Sequence, residues 1–465
     1  MSLALSIAPV LLLFGLILVT PLGAITAASV SFVFALALAL VHSGMVQAVL
    51  VGQLAPQIGV LVVTVASVII PGLIFVRCTR ENGATDNLRS WIASWQLNSS
   101  TKVAVIVVGV APAIESMTGF GVSMVVTVPV LLGMLERPRA LLVGLLGMNI
   151  MPWGTLGLAT IVGAAIAGTT PWALGYHTAI ASLLVFPLAA ALAVVAAGYR
   201  RPDSVLLATS VGGFFSACLI GANYALGPAV AGVLSGLIVV FAILLIAKLT
   251  GQSITLPSRK ITPYAALLLF VLLGRAVWVL FPCLHDVGIQ AGRFYWRLFE
   301  SPGIPLLLAA LTAGLKKNDI WPSIRKSIKP LLSVTMLLAL SQTMVLSGQM
   351  HTIAQALKSL SGFGGALIFA PFSALSGYIS GSNVAANALL MPTANLLDGS
   401  SGLSYASVQN SAAGHAVLAS IPIIVFLLSV ADGGTKEEES LLMRFGAIVA
   451  GVNALLIGCV VTFLF

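Results

Sequence analysis

With 465 residues, a mean hydropathy of +1.10 and only 8% charged residues, the chain has too little polar surface for a water-soluble fold of this size. Its net charge of +9 does not indicate nucleic acid, because the Lys and Arg residues lie in short segments between apolar runs, as in a polytopic membrane protein. Cys78, Cys218, Cys283 and Cys459 are isolated, with no metal-ligand spacing, and no motif calls for a cofactor or metal.

Taken in order, apolar runs place helices near Leu5–Pro21, Ala24–Val41 and Gln57–Val76. No basic segment precedes the first run, so it is expected to be a helix that stays rather than a cleaved signal. Between Arg77 and Lys102, residues Leu88, Trp91, Ile92 and Trp95 share one helical face, which suits a helix lying flat on the bilayer. A first interrupted run, 102–135, follows. Its flanks, Val103–Pro112 and Val122–Leu135, are each shorter than the roughly 20 residues needed to cross a bilayer. Between them lies Ala113-Ile-Glu-Ser-Met-Thr-Gly-Phe-Gly-Val-Ser-Met124. This pattern predicts a re-entrant hairpin with its tip buried in protein or facing a watery cavity.

A broken helix at 140–167 is expected next, interrupted between Gly147 and Thr155, and Trp172–Tyr199 closes the first half. The second half has spans near Ser204–Ile220, Pro228–Lys248, Pro263–Phe281, Gly303–Leu315 and Leu331–Met350. A short amphipathic piece carrying Ile353, Leu357 and Leu360 precedes a second hairpin at 362–396, centred on Ser376–Asn387. A second broken helix, 405–430, is expected to break at Val408–His415, and a last helix runs from Leu441 to Phe465.

The two halves share one order: flat helix, hairpin, broken helix, final span. The predicted fold is all-α, with about twelve transmembrane helices and two re-entrant hairpins in two repeats, 1–200 and 201–465. With both termini outside, the cytoplasmic side receives every Lys and Arg except Arg275, Arg293, Arg297 and Lys358. The hairpins then enter from opposite faces, so the repeats are inverted.

Inverted repeats with discontinuous helices describe secondary transporters, whose substrate lies near the midplane. Half-helix N-termini offer unpaired N–H groups and a positive dipole end, a seat for a carboxylate. The expected substrate-binding residues are Ser116, Thr118, Gly119, Phe120, Gly121, Asn149, Thr155, Gly381, Ser382, Asn383, Asn387, Gln409, Asn410 and Ser411. The amides and hydroxyls among them would equally serve to satisfy freed backbone groups. Glu115, the one carboxylate placed well inside the bilayer, and His415 are the candidates to carry a proton. Gly119-Phe-Gly121 is not a dinucleotide fingerprint, since no strand precedes it and the spacing is wrong. No nucleophile–base spacing or acidic pair points to an enzyme.

These residues resemble the L-lactate permease family. Its signature E-G-A-A-G-F-G is similar to Glu115–Gly121, its G-S-D-T-S-S-N-A-L-F to Gly381–Leu390, and its N-S-S-G-G followed by G-K to Asn410–Gly414 and His415. The resemblance extends from about residue 100 to 430. It implies proton-coupled uptake of lactate, glycolate or a similar 2-hydroxy monocarboxylate across the cell membrane. It also implies an elevator-type carrier, in which a homodimer is allowed. The departures are Asn383, where the family has an acidic residue, and His415, where it has Lys. They leave open a lost ion pair, or a uniporter, exchanger or sodium-coupled carrier for another anion such as a sulfonate or dicarboxylate.

Overall fold

The computed structural model describes residues 2–20, 22–42, 50–360, 364–398 and 402–464. The expected element ends Pro21, Gly362 and Phe465 lie outside the described residues. Eight helices are long and apolar enough to cross a bilayer, or up to eleven if each of three bent pairs counts as one span. The chain is thus an all-α polytopic membrane protein, with eight to eleven candidate spans among the described residues where about twelve were expected.

The first three long helices are α1 (Leu3–Val19), α2 (Ala24–His42) and α3 (Ala55–Glu81). Helix α4 (Ala84–Ala93) forms where the flat helix was expected, and its apolar face packs onto the protein. It buries Leu88 and Ile92, Trp95 just beyond it is buried too, and Trp91 packs edge-on to Trp95. The first hairpin has unequal arms. Its outgoing arm α5 (Ser99–Thr118) is 20 residues long, enough to span by length, whereas the return arm α6 (Val122–Leu132) has 11. The extra turn comes from polar residues that the apolar count left out. Asn98 caps the helix by accepting from the Ser100 N–H (3.2 Å), and the Lys102 amine folds back to the carbonyls of Ala93 (2.8 Å) and Trp95 (3.0 Å).

Then come α7 (Arg137–Leu146) and α8 (Gly154–Ala167), the first broken helix, bent by 54°. Helices α9 (Pro171–Ala181) and α10 (Val185–Ala196) are also bent, by 48°, where a single span was expected. Helices α11 (Pro202–Leu226), α12 (Pro228–Leu249) and α13 (Thr262–Leu280) follow. An unforeseen antiparallel ribbon comes next, β1 (Gly288–Ala291) and β2 (Phe294–Arg297). Helix α14 (Gly303–Thr312) has only ten residues, about 15 Å at 1.5 Å per residue, and is too short to be the span expected there.

The remainder comprises α15 (Lys317–Leu346), the amphipathic α16 (Gln349–Leu360) and the second hairpin, α17 (Gly365–Ser380) and α18 (Asn383–Asp398). The second broken helix is α19 (Ser404–Ala416) and α20 (Ile421–Val430), followed by α21 (Lys436–Leu464). Its 45° bend falls at Ser420, not at Val408–His415 as the sequence suggested. The polar run from Gln409 to His415 is continuous helix. What stops the helix is Pro422, which has no N–H to donate and sits in the first turn of α20.

Two packing groups result. Hairpins and broken helices pack on one another and on α12, while α2, α3, α14 and α15 form a second group. Helix α12 approaches the first hairpin closely through Gly232 and Gly236. A side chain at Gly236 would strike the Gly109 carbonyl and Ala113 of α5, and one at Gly232 would strike the Ser116 hydroxyl.

Candidate functional site

The tip of the first hairpin is three consecutive left-handed residues, Gly119 (φ +67°), Phe120 (φ +60°) and Gly121 (φ +76°). Opposite lies a second such run at the break in the first broken helix: Thr155 (φ +51°), Leu156 (φ +55°) and Gly157 (φ +72°). Left-handed backbone costs a non-glycine residue about 1–2 kcal/mol. Phe120, Thr155 and Leu156 therefore concentrate strain where hairpin meets break. The Gly119 Cα lies directly against the Thr155 side chain, leaving no room for a Cβ. Phe120 and Thr155 also pack against Gly72 of α3.

Glu115 closes this tip from within. One carboxylate oxygen accepts the Gly121 N–H (3.0 Å), and the other accepts the Ser123 hydroxyl (2.7 Å) and N–H (3.3 Å). The side chain is fully buried. It therefore sits on the first turn of α6, where helix geometry leaves donors free and the dipole favours negative charge. The Phe120 N–H and the Thr155 hydroxyl have no partner among the described residues. They are the open donors at this tip.

The second hairpin repeats the arrangement. Gly381 is left-handed (φ +63°) and packs against Ser420 and Pro422 at the second break. Ser382 starts α18, its hydroxyl accepting the Ala385 N–H at 3.4 Å, and the buried Ser420 hydroxyl has no partner among the described residues.

Deeper in, an amide cluster joins the halves. The Asn410 amide group donates to the hydroxyls of Thr160 (2.9 Å) and Thr178 (3.0 Å), while its oxygen accepts from Asn387 (2.8 Å) and Asn383 (3.2 Å). Asn387 also donates to the Ala159 carbonyl (3.0 Å), and Gln409 to the Ala386 carbonyl (3.1 Å). These donations fix the amide orientations. They leave Asn383 Oδ1, Asn387 Oδ1 and Gln409 Oε1 buried without a donor among the described residues. Ser411 pairs with Ser182 (2.7 Å), which also meets His415 Nε2 (3.0 Å). The His415 ring packs edge-on to Phe186, with its Nδ1 unpartnered.

A family model described as L-lactate permease matches residues 2–260 and 276–465. The chain belongs to the L-lactate permease family. An L-lactate permease of Streptococcus iniae is 23% identical over 363 residues, which cover 69% of this chain and 75% of that protein. Both hairpin tips, both breaks and the amide cluster lie within the residues matched to the family.

The expected site residues thus separate. Gly119, Phe120, Gly121 and Thr155 come together with Glu115 behind them, and Gly381 and Ser382 form the second tip. Asn383, Asn387, Gln409 and Asn410 form the interior cluster; Asn383 and Asn387 lie in the first turns of α18 beside the second tip, whereas Gln409 and Asn410 lie about three turns before the bend at Ser420. Ser411 does not begin the resumed helix; it lies mid-α19 with His415. Ser116 faces α12, Thr118 bonds back to the Ile114 carbonyl (2.6 Å), and Asn149 pairs with Asn453 of the last helix (3.1 Å). Of these three, Thr118 directly precedes the tip residue Gly119, whereas Ser116 and Asn149 make their contacts with other helices. Of the two departures from the family pattern, Asn383 bonds to Asn410 and His415 to Ser182. The sequence reading missed Ser123, Thr160, Thr178 and Ser182. Their signal was a hydroxyl in the middle of an apolar helix, weaker than the Gly and Pro of a break.

Proposed function

We propose that the chain carries a small 2-hydroxy monocarboxylate of the L-lactate or glycolate kind across the cytoplasmic membrane together with a proton. The observation that supports this most is Glu115 on the N-terminus of α6, held by three donors. When Glu115 takes a proton, its negative charge leaves that helix end and the Gly121 and Ser123 N–H groups become available. The substrate carboxylate then takes up the charge position beside the Phe120 N–H and the Thr155 hydroxyl. Protonated Glu115 with bound anion has the same net charge as the empty, ionised tip. Loaded and empty carriers therefore meet the low-dielectric interior on equal terms.

The inverted halves 1–200 and 201–465 belong to this reading, with both termini outside and hairpin tips that move as in an elevator. Their support is that each tip glycine seats on the break of its own half, Gly119 on Thr155 and Gly381 on Ser420. The test uses sodium-free proteoliposomes holding a pH-sensitive dye. External L-lactate is expected to acidify the lumen. Glu115→Gln is expected to abolish acidification while retaining lactate–lactate counterflow. Acidification by the Gln variant at the normal rate rejects Glu115 as the coupling group.

One observation favours a second reading, a sodium-coupled carrier or exchanger for another organic anion such as a sulfonate or dicarboxylate. The three unpartnered amide oxygens of Asn383, Asn387 and Gln409 are hard ligands of the kind that hold a cation. Uptake that requires sodium and produces no acidification selects it.

A further inference from the structure

Of the four basic residues outside the cytoplasmic set, three converge. Arg275, Arg293 and Arg297 line one cleft of about 570 Å³, together with Trp172, Trp278 and Glu300. On α3 it is lined by Thr64 and Val68, which precede Arg77; Arg77 itself pairs with Asp319 at 3.1 Å. Only Arg297 has a carboxylate within ion-pair distance among the described residues, Glu300 at 3.5 Å. The Arg275 guanidinium lies 3.8 Å from the Trp172 ring centre, and that of Arg293 lies 5.0 Å from Phe294. Three arginines with one carboxylate, Glu300, thus face a space of several hundred Å³ on the side where the topology otherwise excludes basic residues.

The cleft has a direction. Its floor is Thr64 and Val68 of α3 on one wall, and Ala165 and Ile161 of α8 on the other. Continuing inward, the next residue on the α3 face is Gly72, which touches both Phe120 and Thr155. At 1.5 Å per residue, Val68 is roughly 6 Å from Gly72 along the helix and Ile161 is roughly 9 Å from Thr155. The rim is braced, since the Trp296 indole N–H donates to the Ser67 hydroxyl (3.0 Å), which in turn meets Ser301 (3.0 Å). A fixed, cation-lined funnel therefore ends about one to two helical turns above the first tip.

We propose that this cleft is an anion-receiving vestibule, which holds the carboxylate of an incoming acid between Arg275 and Arg293 before it reaches the first hairpin tip. The proposal takes its ligand, a small carboxylate, from the monocarboxylate reading. Arg275 lies in 261–275, the stretch the family model leaves unmatched. The net positive field of three arginines against one carboxylate raises local anion concentration and speeds capture, and added salt weakens it.

The experiment has two arms on the full-length protein. In detergent, tryptophan fluorescence is titrated with L-lactate and with neutral lactamide, because Trp172 and Trp278 stand in the cleft. A saturable change with L-lactate alone is expected, its half-saturation raised about fivefold or more in Arg275→Gln and Arg293→Gln and restored towards normal in Arg293→Lys. In proteoliposomes, the same Gln variants are expected to raise the half-saturation for uptake from outside and leave that for efflux unchanged. A merely structural role shifts both sides together and overturns the proposal. So does the absence of a saturable change in the wild type, an equal response to lactamide, or a response to anionic lipid headgroups but not to lactate. Lactate binding that depends on the arginines, without any uptake, leaves the vestibule standing and removes the transport reading instead.

Discussion

Gly119 and Thr155 meet with no space for one further carbon: the threonine hydroxyl occupies the place where a Cβ on residue 119 would be. Both residues are left-handed, and each lies in a run of three. Gly119→Ala therefore adds a left-handed penalty of about 1–2 kcal/mol to an overpacking cost of about 1–3 kcal/mol. We expect a lower melting temperature in detergent and at least a tenfold loss of uptake. The pair Gly119→Ala/Thr155→Ala is expected to recover part of the stability but little affinity, because the open hydroxyl is gone. An unaltered melting temperature for Gly119→Ala refutes the contact.

Asn410 holds four side chains at once. Asn410→Ala removes all four bonds. Thr160, Asn387 and Asn383 keep bonds to the carbonyls of Pro152, Ala159 and residue 410, while the Thr178 hydroxyl is left without a partner among the described residues, at a cost of about 1–3 kcal/mol. Little folded protein is expected on size-exclusion chromatography. Asn410→Asp keeps the acceptor for Asn383 and Asn387, and the Thr178 hydroxyl is free to turn and donate. This variant is expected to be recovered in larger yield than Asn410→Ala.

The two family departures are predicted to act independently. Because Asn383 and His415 bond to different partners, Asn383→Asp and His415→Lys are each expected to reduce folded yield, with the double variant no better than the sum. A double variant that restores transport to either single variant indicates a pairing that this arrangement does not contain.

Arg137 ties the start of the first broken helix to the turn between α20 and α21. It donates to the carbonyls of Ala431 (2.6 Å) and Gly433 and to Glu438 (2.7 Å). A lysine carries the charge but not the planar fork. Arg137→Lys and Arg137→Gln are therefore expected to lower the melting temperature by similar amounts. Full stability in the Lys variant shows that charge alone suffices.

The architecture was legible wherever composition alone dictates it. Apolar runs located the long helices, and Gly119–Gly121 and Gly381 marked both tips because glycine tolerates the left-handed backbone a tight reversal needs. The second break was misplaced because a polar run, Gln409 to His415, was taken for an interruption. In a buried position such a run is compatible with continuous helix when neighbouring helices supply its partners, here Thr160, Thr178 and Ser182. Those partners are remote in sequence, so no local pattern announces them. The ribbon was missed for a different reason: its β1–β2 pairing is short and lies between polar turns, where hydropathy is silent.

The remoteness of those partners has a consequence for biosynthesis. Asn410 follows Thr160 by 250 positions and Thr178 by 232. At 5–20 residues per second, the ribosome needs roughly 10–50 s to supply it. For that interval α8 and α9 wait in the bilayer without the amide that joins their hydroxyls, and nascent chains ending before residue 410 expose an unfinished polar seam. Quality-control factors that sense polar groups in lipid have an opportunity there, so a defect at Asn410 is expected to register as failed assembly of helices made long before it.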